Sequence, residues 1–406
     1  MKMDWKKLLD NAWKDILKKG KEKGEQLSPY LIDYSNNIKK HLKSIESLLI
    51  LKKYQFREWK GILLPKSNGE KRPLIIPWNL NDKVVLKAIT SYFVDVCSDL
   101  FKKVDDVSYA YQKGKSTKVA LLKLKSIHKK GNVLLKIDIK HFFDTIDKNI
   151  LVEKLDKIEM DCYVKELIIS SINPIVDYSK IKIEERGLFP KSGIPQGNSI
   201  SNVLSNFYLN DFDNFVIQKR WNMVRYADDM VFSVSSEEEA KIILSEIEEY
   251  LLENLKLSIH SLGNSSDAKT AIYLNPQKHS MEYLGVKFDG RNLSLTDKSY
   301  FNLNYRIRKI LENQDTTIEK EQLVMNSIKQ WCGYYAFTDV KSNKLKNLNR
   351  TINYQIKKYQ PSVSEVDVEK VMTETRKKQN KRWYKIKEWI KPEEGNEWLD
   401  FYYLGE

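Results

Sequence analysis

The stretch Met223–Val234, MVRYADDMVFSV, constrains the fold more than any other part of the chain. Two short runs rich in Val, Met, Tyr and Phe read as strands, and a tight acidic turn built on Asp228 and Asp229 separates them. Strands joined so closely must run antiparallel, because a parallel pair needs a crossover of a dozen residues or more. The hairpin therefore carries two like charges at one tip. Adjacent acids in such a place also serve as ordinary solvated turn formers, so their company elsewhere in the chain decides what they mean.

That company begins with Asp138. It ends the β-branched run Val133–Ile139 (VLLKIDI), a short buried strand, and Lys140-His141-Phe142-Phe143-Asp144 follows it. Carboxylates brought together from separate strands provide the clustered oxygen ligands that two Mg²⁺ ions require. Such a metal pair activates a 3′-hydroxyl and stabilises the pyrophosphate leaving an in-line displacement. Helices are expected over 4–19, 29–53, 80–102, 117–129, 148–173, 198–220 and 236–255. Ser28-Pro29 starts the second, and Ser236 with Glu239 three residues on starts the last. Further strands are expected at Ile62–Pro65 and Pro73–Pro77, either side of Ser67-Asn68-Gly69, and at Tyr283–Phe288. From 297 onward the pattern is helical and basic. This irregular alternation around a carboxylate hairpin predicts an α+β domain. No GxGxxG or GxxxxGK[ST] pattern follows any strand, so a dinucleotide fold and a P-loop ATPase are not indicated.

Charge narrows the class of partner. The 406 residues carry 69 Lys+Arg against 55 Asp+Glu, a net of +14, which favours polyanions. Residues 1–60 hold 15 basic and 8 acidic residues, and 297–406 hold 21 and 16. The flanks thus carry +12 of the total and the centre only +2. Cys97, Cys162 and Cys332 are far apart and form no CxxC pair, which supports neither a zinc ribbon nor a disulfide framework; a reduced cytoplasm is the expected location. No apolar run approaches the roughly 20 residues that span a bilayer, and the Lys-rich start lacks a signal-peptide core. Its amphipathic character leaves binding at a membrane surface as a minor reading, interrupted by Asp4, Asp10 and Asp15.

Two further elements fall into order with the acids. Gly193-Ile194-Pro195-Gln196-Gly197-Asn198 opens a helix, with a backbone shaped for close approach. Lys71-Arg72 lies just beyond the Ser67-Asn68-Gly69 turn, where cations on a hairpin suit a triphosphate. In this order the chain resembles the reverse transcriptases, especially the bacterial group II intron-like branch. Lys71-Arg72-Pro73-Leu74 is similar to the first fingers motif and Tyr109–Ser116 (YAYQKGKS) to the second. Lys136–Asp144 is similar to palm motif A, Pro195-Gln196-Gly197 to motif B and Tyr226-Ala227-Asp228-Asp229 to the YxDD motif C. Leu274–Lys278 resembles motif D, and Tyr283-Leu284-Gly285-Val286 the primer grip.

The resemblance implies a right-hand polymerase: a basic helical extension over 1–60, fingers and palm over 61–290, and a helical thumb or maturase-like region over 291–406. It implies an RNA-directed DNA polymerase using two Mg²⁺ ions, with Mn²⁺ as a substitute. Asp138, Asp228 and Asp229 would be the catalytic acids, and the Ile139 carbonyl a further metal ligand. Lys71, Arg72, Phe143, Gln196, Gly197, Tyr226 and Lys278 would bind nucleotide, with Phe143 as a steric gate against ribose and Lys278 as a proton donor to pyrophosphate. Leu284 and Gly285 would grip the primer. Implied partners are dNTPs, an RNA–DNA duplex and a structured non-coding RNA template, with no membrane and an oligomer left open. In the last third, Gln330–Tyr335 (QWCGYY) is similar to the thumb's W-x-x-Y-Y pattern. Aromatics there alternate with Lys357-Lys358, Arg376-Lys377-Lys378 and Lys381-Arg382-Trp383-Tyr384, a composition suited to duplex contact. An aromatic helical core with solvated lysines fits these residues equally. The basic N-terminal helices resemble the bacterial "unknown group" reverse transcriptases of antiphage defence. A group II intron-encoded reverse transcriptase/maturase and a retron-type enzyme are the alternatives.

Overall fold

The computed structural model describes residues 3–22, 29–65, 69–263, 268–313 and 317–389, with side chains over 3–18, 29–65, 69–263, 268–313 and 320–380. Ser28, Ser67 and Asn68 lie outside the described residues, as do the side chains of Lys381, Arg382, Trp383 and Tyr384. Three helices come first: α1 (Trp5–Glu22), α2 (Pro29–Asn36) and α3 (Ile38–Ile50). The fingers segment follows with β1 (Trp59–Pro65), β2 (Lys71–Ile76), α4 (Leu80–Val96), α5 (Ser98–Lys103) and α6 (Thr117–Ile127). The centre holds β3 (Val133–Asp138), α7 (Phe142–Thr145), α8 (Lys148–Asp156), α9 (Cys162–Ser171), β4 (Val176–Asp177), α10 (Ser199–Tyr208), α11 (Asn210–Gln218), β5 (Met223–Tyr226), β6 (Asp229–Val234), α12 (Glu237–Leu255) and β7 (Ala271–Tyr273). The small strands β8 (Met281–Tyr283), β9 (Val286–Phe288) and β10 (Leu293–Leu295) lead into α13 (Asp297–Glu312), α14 (Thr317–Tyr335), α15 (Ser342–Tyr359) and α16 (Val368–Trp389).

The palm sheet is antiparallel throughout, in the order β5-β6-β3-β7. Side chains on a strand alternate between faces, and here the alternation feeds two different cores. Val133, Leu135 and Ile137 of β3, with Met230, Phe232 and Val234 of β6, join the large core that includes α10 and α12. Leu134 and Val231 point the other way, onto α6 and the small sheet of β8 and β9. The central strands are apolar on both faces because both faces are covered. A second antiparallel sheet pairs β1 with β2, and β4 adds to β1 in parallel.

Four long stretches that read as single helices are broken. The 29–53 stretch divides at Asn37, and 80–102 divides at Cys97. The 148–173 stretch breaks between Asp156 and Cys162, where the Asp161 side chain caps the new helix through the Tyr163 and Val164 amides. The 198–220 stretch bends at Leu209. The expected single strand Tyr283–Phe288 is a hairpin instead: Leu284 (φ 50°) and Gly285 (φ 75°) form its two-residue turn. Two left-handed residues in succession are what a tight hairpin turn demands.

The N-terminal helices are not a separate body. Trp5, Leu9, Ala12 and Trp13 of α1 are buried in the same core as α4, so the apolar face of the amphipathic start is spent on packing rather than offered to a membrane. Among the described residues no helix is long and apolar enough to cross a membrane. The last four helices form their own core around Leu303, Ile307, Ile328, Ile352 and Ile356.

Candidate active site

The register of the central sheet places the acids. Asp138 faces Asp229 across the β3–β6 ladder, and Tyr226 faces Asp229 across β5–β6. Directly opposed residues share a face, so Asp138, Asp229 and Tyr226 lie on one surface at one end of the sheet. Asp228 stands in the turn between the strands, next to Ala227, whose φ of 58° is left-handed. Burial raises the pKa of Asp228, and the charge of Asp138 adds to that rise. For Asp229 burial again comes first and lifts its pKa to about 6; Lys136 pulls it back, and Asp228 and Asp138 push it up. Like charges opposed on a sheet destabilise it, and the lysines and arginine around the acids offset that repulsion only in part.

Register also fixes the direction of the Ile139 backbone. Ile139 bridges to Ile259, and the flanking bonds are Lys140 N–H to Ser258 O (2.8 Å) and His260 N–H to Asp138 O (3.0 Å). A pair framed in this way does not bond to its own partner. The Ile139 carbonyl therefore turns away from Ile259, toward the β6 edge where Asp228 sits. Oxygen donors of this kind suit a hard divalent cation. The carboxylates are not gathered as they stand: among the described residues no group of three or more His, Cys, Asp or Glu takes up metal-holding geometry. Asp138 instead accepts from Lys269 Nζ at 3.0 Å and lies 3.2 Å from His260 Nε2. Burial, and next the Lys269 charge, lower the pKa of His260, so Lys269 is the charged partner of Asp138.

Lys269 is a neighbour of the acids that sequence reasoning missed, because the resemblance to motif D falls on Leu274–Lys278. The structure places the two lysines differently. β7 runs antiparallel to β3, with Ala271 opposite Lys136 and Tyr273 opposite Leu134. It enters beside Asp138, where the Thr270 hydroxyl faces the Asp138 amide at 3.4 Å, and leaves toward Val133. Lys278 lies in the turn beyond, its N–H bonded to Asn275, and is not brought to the acids. The signal available was a Lys just before a third short β run, Ala271-Ile272-Tyr273, able to pair with β3.

The motif B loop is stitched on both sides. Ile194 N–H donates to Phe143 O, and Ile75 N–H donates to Gln196 O, both at 2.9 Å. A Cβ on Gly193 would stand 2.1 Å from Phe143 O, and one on Gly197 2.8 Å from Ile76 Cγ2; both glycines have positive φ. The glycines thus let the loop clamp the helix of motif A to the fingers strand. Phe143 is buried beside Phe142, their ring centroids 5.6 Å apart. Arg72 is close enough that its charge lowers the pKa of Asp228, after burial and the nearer charges. Lys71 instead bonds Glu185, which lies on a short 3-10 turn, Ile183–Leu188. Tyr111, of the second fingers motif, lies close enough to feel the charge of Asp228. It has a φ of 56°, and burial, with the Asp228 charge next, raises its hydroxyl to about 12.

In the last third, Trp331 is core: it is buried, and its Nε1 donates to Ser299 O at 3.3 Å. Arg376 is structural too, donating to Ala336 O at 3.0 Å and Thr338 O at 2.8 Å. Lys357 pairs with Glu365 at 2.8 Å, while Lys358, Lys377 and Lys378 are exposed. Tyr334 Oη donates to Leu284 O at 3.3 Å, which ties α14 to the expected primer grip.

An antiparallel palm with acids at one end, a fingers hairpin and a helical bundle is the fold of a right-hand polymerase. Residues 64–288, more than half of the chain, match the family described as reverse transcriptase (RNA-dependent DNA polymerase), and the chain belongs to that family. It is 28% identical over 171 residues to the group II intron-encoded protein LtrA of Lactococcus lactis subsp. cremoris, covering 41% of this chain and 27% of that protein. It is 28% identical over 173 residues to protein YkfC of Escherichia coli K12, covering 41% and 42%. The retron Ec83 reverse transcriptase of E. coli is 24% identical over 150 residues, covering 37% and 46%. The matches therefore span less than half of these relatives' length. Among solved structures, telomerase from Candida albicans in complex with a TWJ fragment of telomeric RNA aligns with a TM-score of 0.44 at 14% identity, over 89% of this chain and 69% of that one.

Proposed function

We propose that the protein is an RNA-directed DNA polymerase whose reaction centre is Asp138, Asp228 and Asp229, with the Ile139 carbonyl beside them. The observation that carries this is the facing of Asp138 and Asp229 in register, with Asp228 in the adjoining turn. Two Mg²⁺ ions held by these oxygens, or Mn²⁺ in their stead, would activate the primer 3′-hydroxyl and neutralise charge on the leaving pyrophosphate. The chain's own groups do the rest. Arg72 faces the site as a cation for the triphosphate, and Lys71 joins it on leaving Glu185. Lys269 takes the role first expected of Lys278, a proton donor within reach of the acids. Gln196 and Gly197 line the nascent pair from the clamped loop. Phe143 borders the sugar and crowds a 2′-hydroxyl. Leu284 and Gly285, braced by Tyr334, hold the primer end. Replacing both Asp228 and Asp229 by Ala should abolish Mg²⁺-dependent dNTP incorporation on a primed RNA while RNA binding persists. Undiminished synthesis by the double variant would sink the assignment.

We further propose that the template is a structured RNA held by the basic flanks, in the setting of antiphage defence. The concentration of positive charge outside the catalytic centre supports the first part. The second rests on likeness of architecture alone, against intron-encoded and retron-type alternatives. Sequencing the nucleic acid that copurifies from cells, with and without phage, separates the three: an intron RNA or a retron product in place of a dedicated non-coding RNA would overturn it.

A further inference from the structure

Arg225 sits in β5 two residues before Ala227, on the sheet face opposite Tyr226 and the acids. It is wholly buried, and each N–H of its guanidinium is committed. Nε donates to Asp213 Oδ1 at 2.7 Å, and Nη2 donates to Asp213 Oδ2 and to Ser108 Oγ, the latter at 2.8 Å. Nη1 donates to Asn206 Oδ1 at 3.1 Å and to Ala227 O at 2.8 Å. Its main chain is tied as well: Arg225 N–H donates to Val107 O at 2.7 Å, and Tyr109 N–H donates to Arg225 O at 2.9 Å. Asn206 in turn donates to Ala110 O. One residue thus joins α10, α11, the acidic turn and the segment that leads into Tyr111.

Fold stability alone does not call for this arrangement. A buried ion pair is often replaceable by apolar side chains of similar volume without loss. What an apolar pair cannot do is hold the Ala227 carbonyl. Ala227 is left-handed, a conformation that a Cβ disfavours, and its geometry decides where Asp228 stands relative to Asp138 and Asp229. The planar fork of Arg fixes that carbonyl, because its other donors anchor the guanidinium on three sides.

We propose that Arg225 is the positioning residue of the acidic turn: it holds Ala227 in its left-handed conformation and thereby sets the reach of Asp228. The inference rests on the reading of these acids as the polymerase centre. Arg225→Lys keeps the charge but loses the fork, so kcat should fall at least 30-fold, with KM for dNTP and affinity for primed RNA within threefold. A second variant, Arg225→Met with Asp213→Leu, removes the ion pair without leaving a lone charge. It should fold, at a melting temperature lowered by the acceptors left unpaired on Asn206, Ser108 and Ala227, and still lose kcat. Adding Ala227→Gly to either variant should restore kcat at least fivefold, because Gly adopts positive φ freely. Ile247→Ala, in the core under α12, serves as a control for lost stability. Full kcat in the folded apolar variant would overturn the proposal. So would a loss that Gly fails to rescue and that Ile247→Ala matches at equal melting temperature. A crystal structure of the apolar variant tests the turn without any assay: Ala227 should leave the left-handed region. If the wild-type chain incorporates no dNTP, the polymerase reading fails, and that crystal structure still judges Arg225.

Discussion

Asp229 is drawn out of solvent at a strand end beside two carboxylates of its own sign, and the cost, burial first, should be measurable. Its carboxyl titrates near 6 in the folded chain and in the ordinary range when unfolded. A group whose pKa is raised by folding favours the folded state at low pH and penalises it as pH climbs through about 6. Asp229→Asn should therefore stabilise the metal-free protein at pH 8 by on the order of 2–3 kcal/mol, and the gain should vanish near pH 4. Thermal unfolding in chelator across that range checks the sign, and a pH-independent difference would contradict it. Phe143 poses a different question at the same scale. It is buried, so truncation to Ala would cost about 3–5 kcal/mol in packing alone. Phe143→Val keeps an apolar wall and should raise rNTP use relative to dNTP about tenfold or more. An unchanged ratio of kcat/KM values would remove the gate.

The decisive element is the loop from Gly193 to Asn198. Sequence patterning marks it as a turn before a helix, and the Asn198 side chain indeed caps α10 through the Ser201 amide at 2.9 Å. Pattern alone does not show that the loop is a clamp. Gly193→Ala would drive a methyl into Phe143 O and Asp144 at a positive φ. Backbone on both sides must shift, so destabilisation of roughly 2–4 kcal/mol and loss of synthesis are expected. Chemical denaturation measures the first; a Gly193→Ala protein of normal stability would show that the loop moves freely. Other elements were legible for a plain reason. The helix Glu237–Leu255 begins where expected because its signal is local: Ser236 Oγ accepts from Glu239 N–H at 3.2 Å. The β8–β9 turn was harder to read: Gly285 is its one local cue, and a lone Gly inside a β run marks a bulge as readily as a reversal.

At the scale of the whole molecule, charge and packing separate. Among the described residues, the basic side chains of the first 60 lie mostly at the surface, while Trp5, Leu9 and Trp13 belong to the common core. Removing α1 would unroof α4 and confuse lost binding with lost folding. Lys7 and Lys14 are exposed on α1, so Lys7→Gln with Lys14→Gln tests charge alone. RNA affinity should weaken, and the slope of log K against log salt should flatten by about 0.7–0.9 for each phosphate no longer neutralised. Melting temperature should hold. An unaltered slope would place the RNA elsewhere.

The sequence by itself determined which residues are expected to carry the chemistry, because motif order and strand alternation are local properties of the chain. Asp138 at the end of one β run and Asp228-Asp229 between two others announce an acidic centre before any coordinate is known. Only the tertiary structure decided which cation joins them, and it chose Lys269 over Lys278. It also assigned Trp331 and Arg376 to packing rather than to nucleic acid, and buried Arg225 beneath the turn. The reason is physical. A lysine or arginine looks the same in a sequence whether its partner is a carboxylate, a carbonyl or solvent. Its partner is set by pairing register and by packing between segments more than 100 residues apart, as Arg225 and Ser108 are.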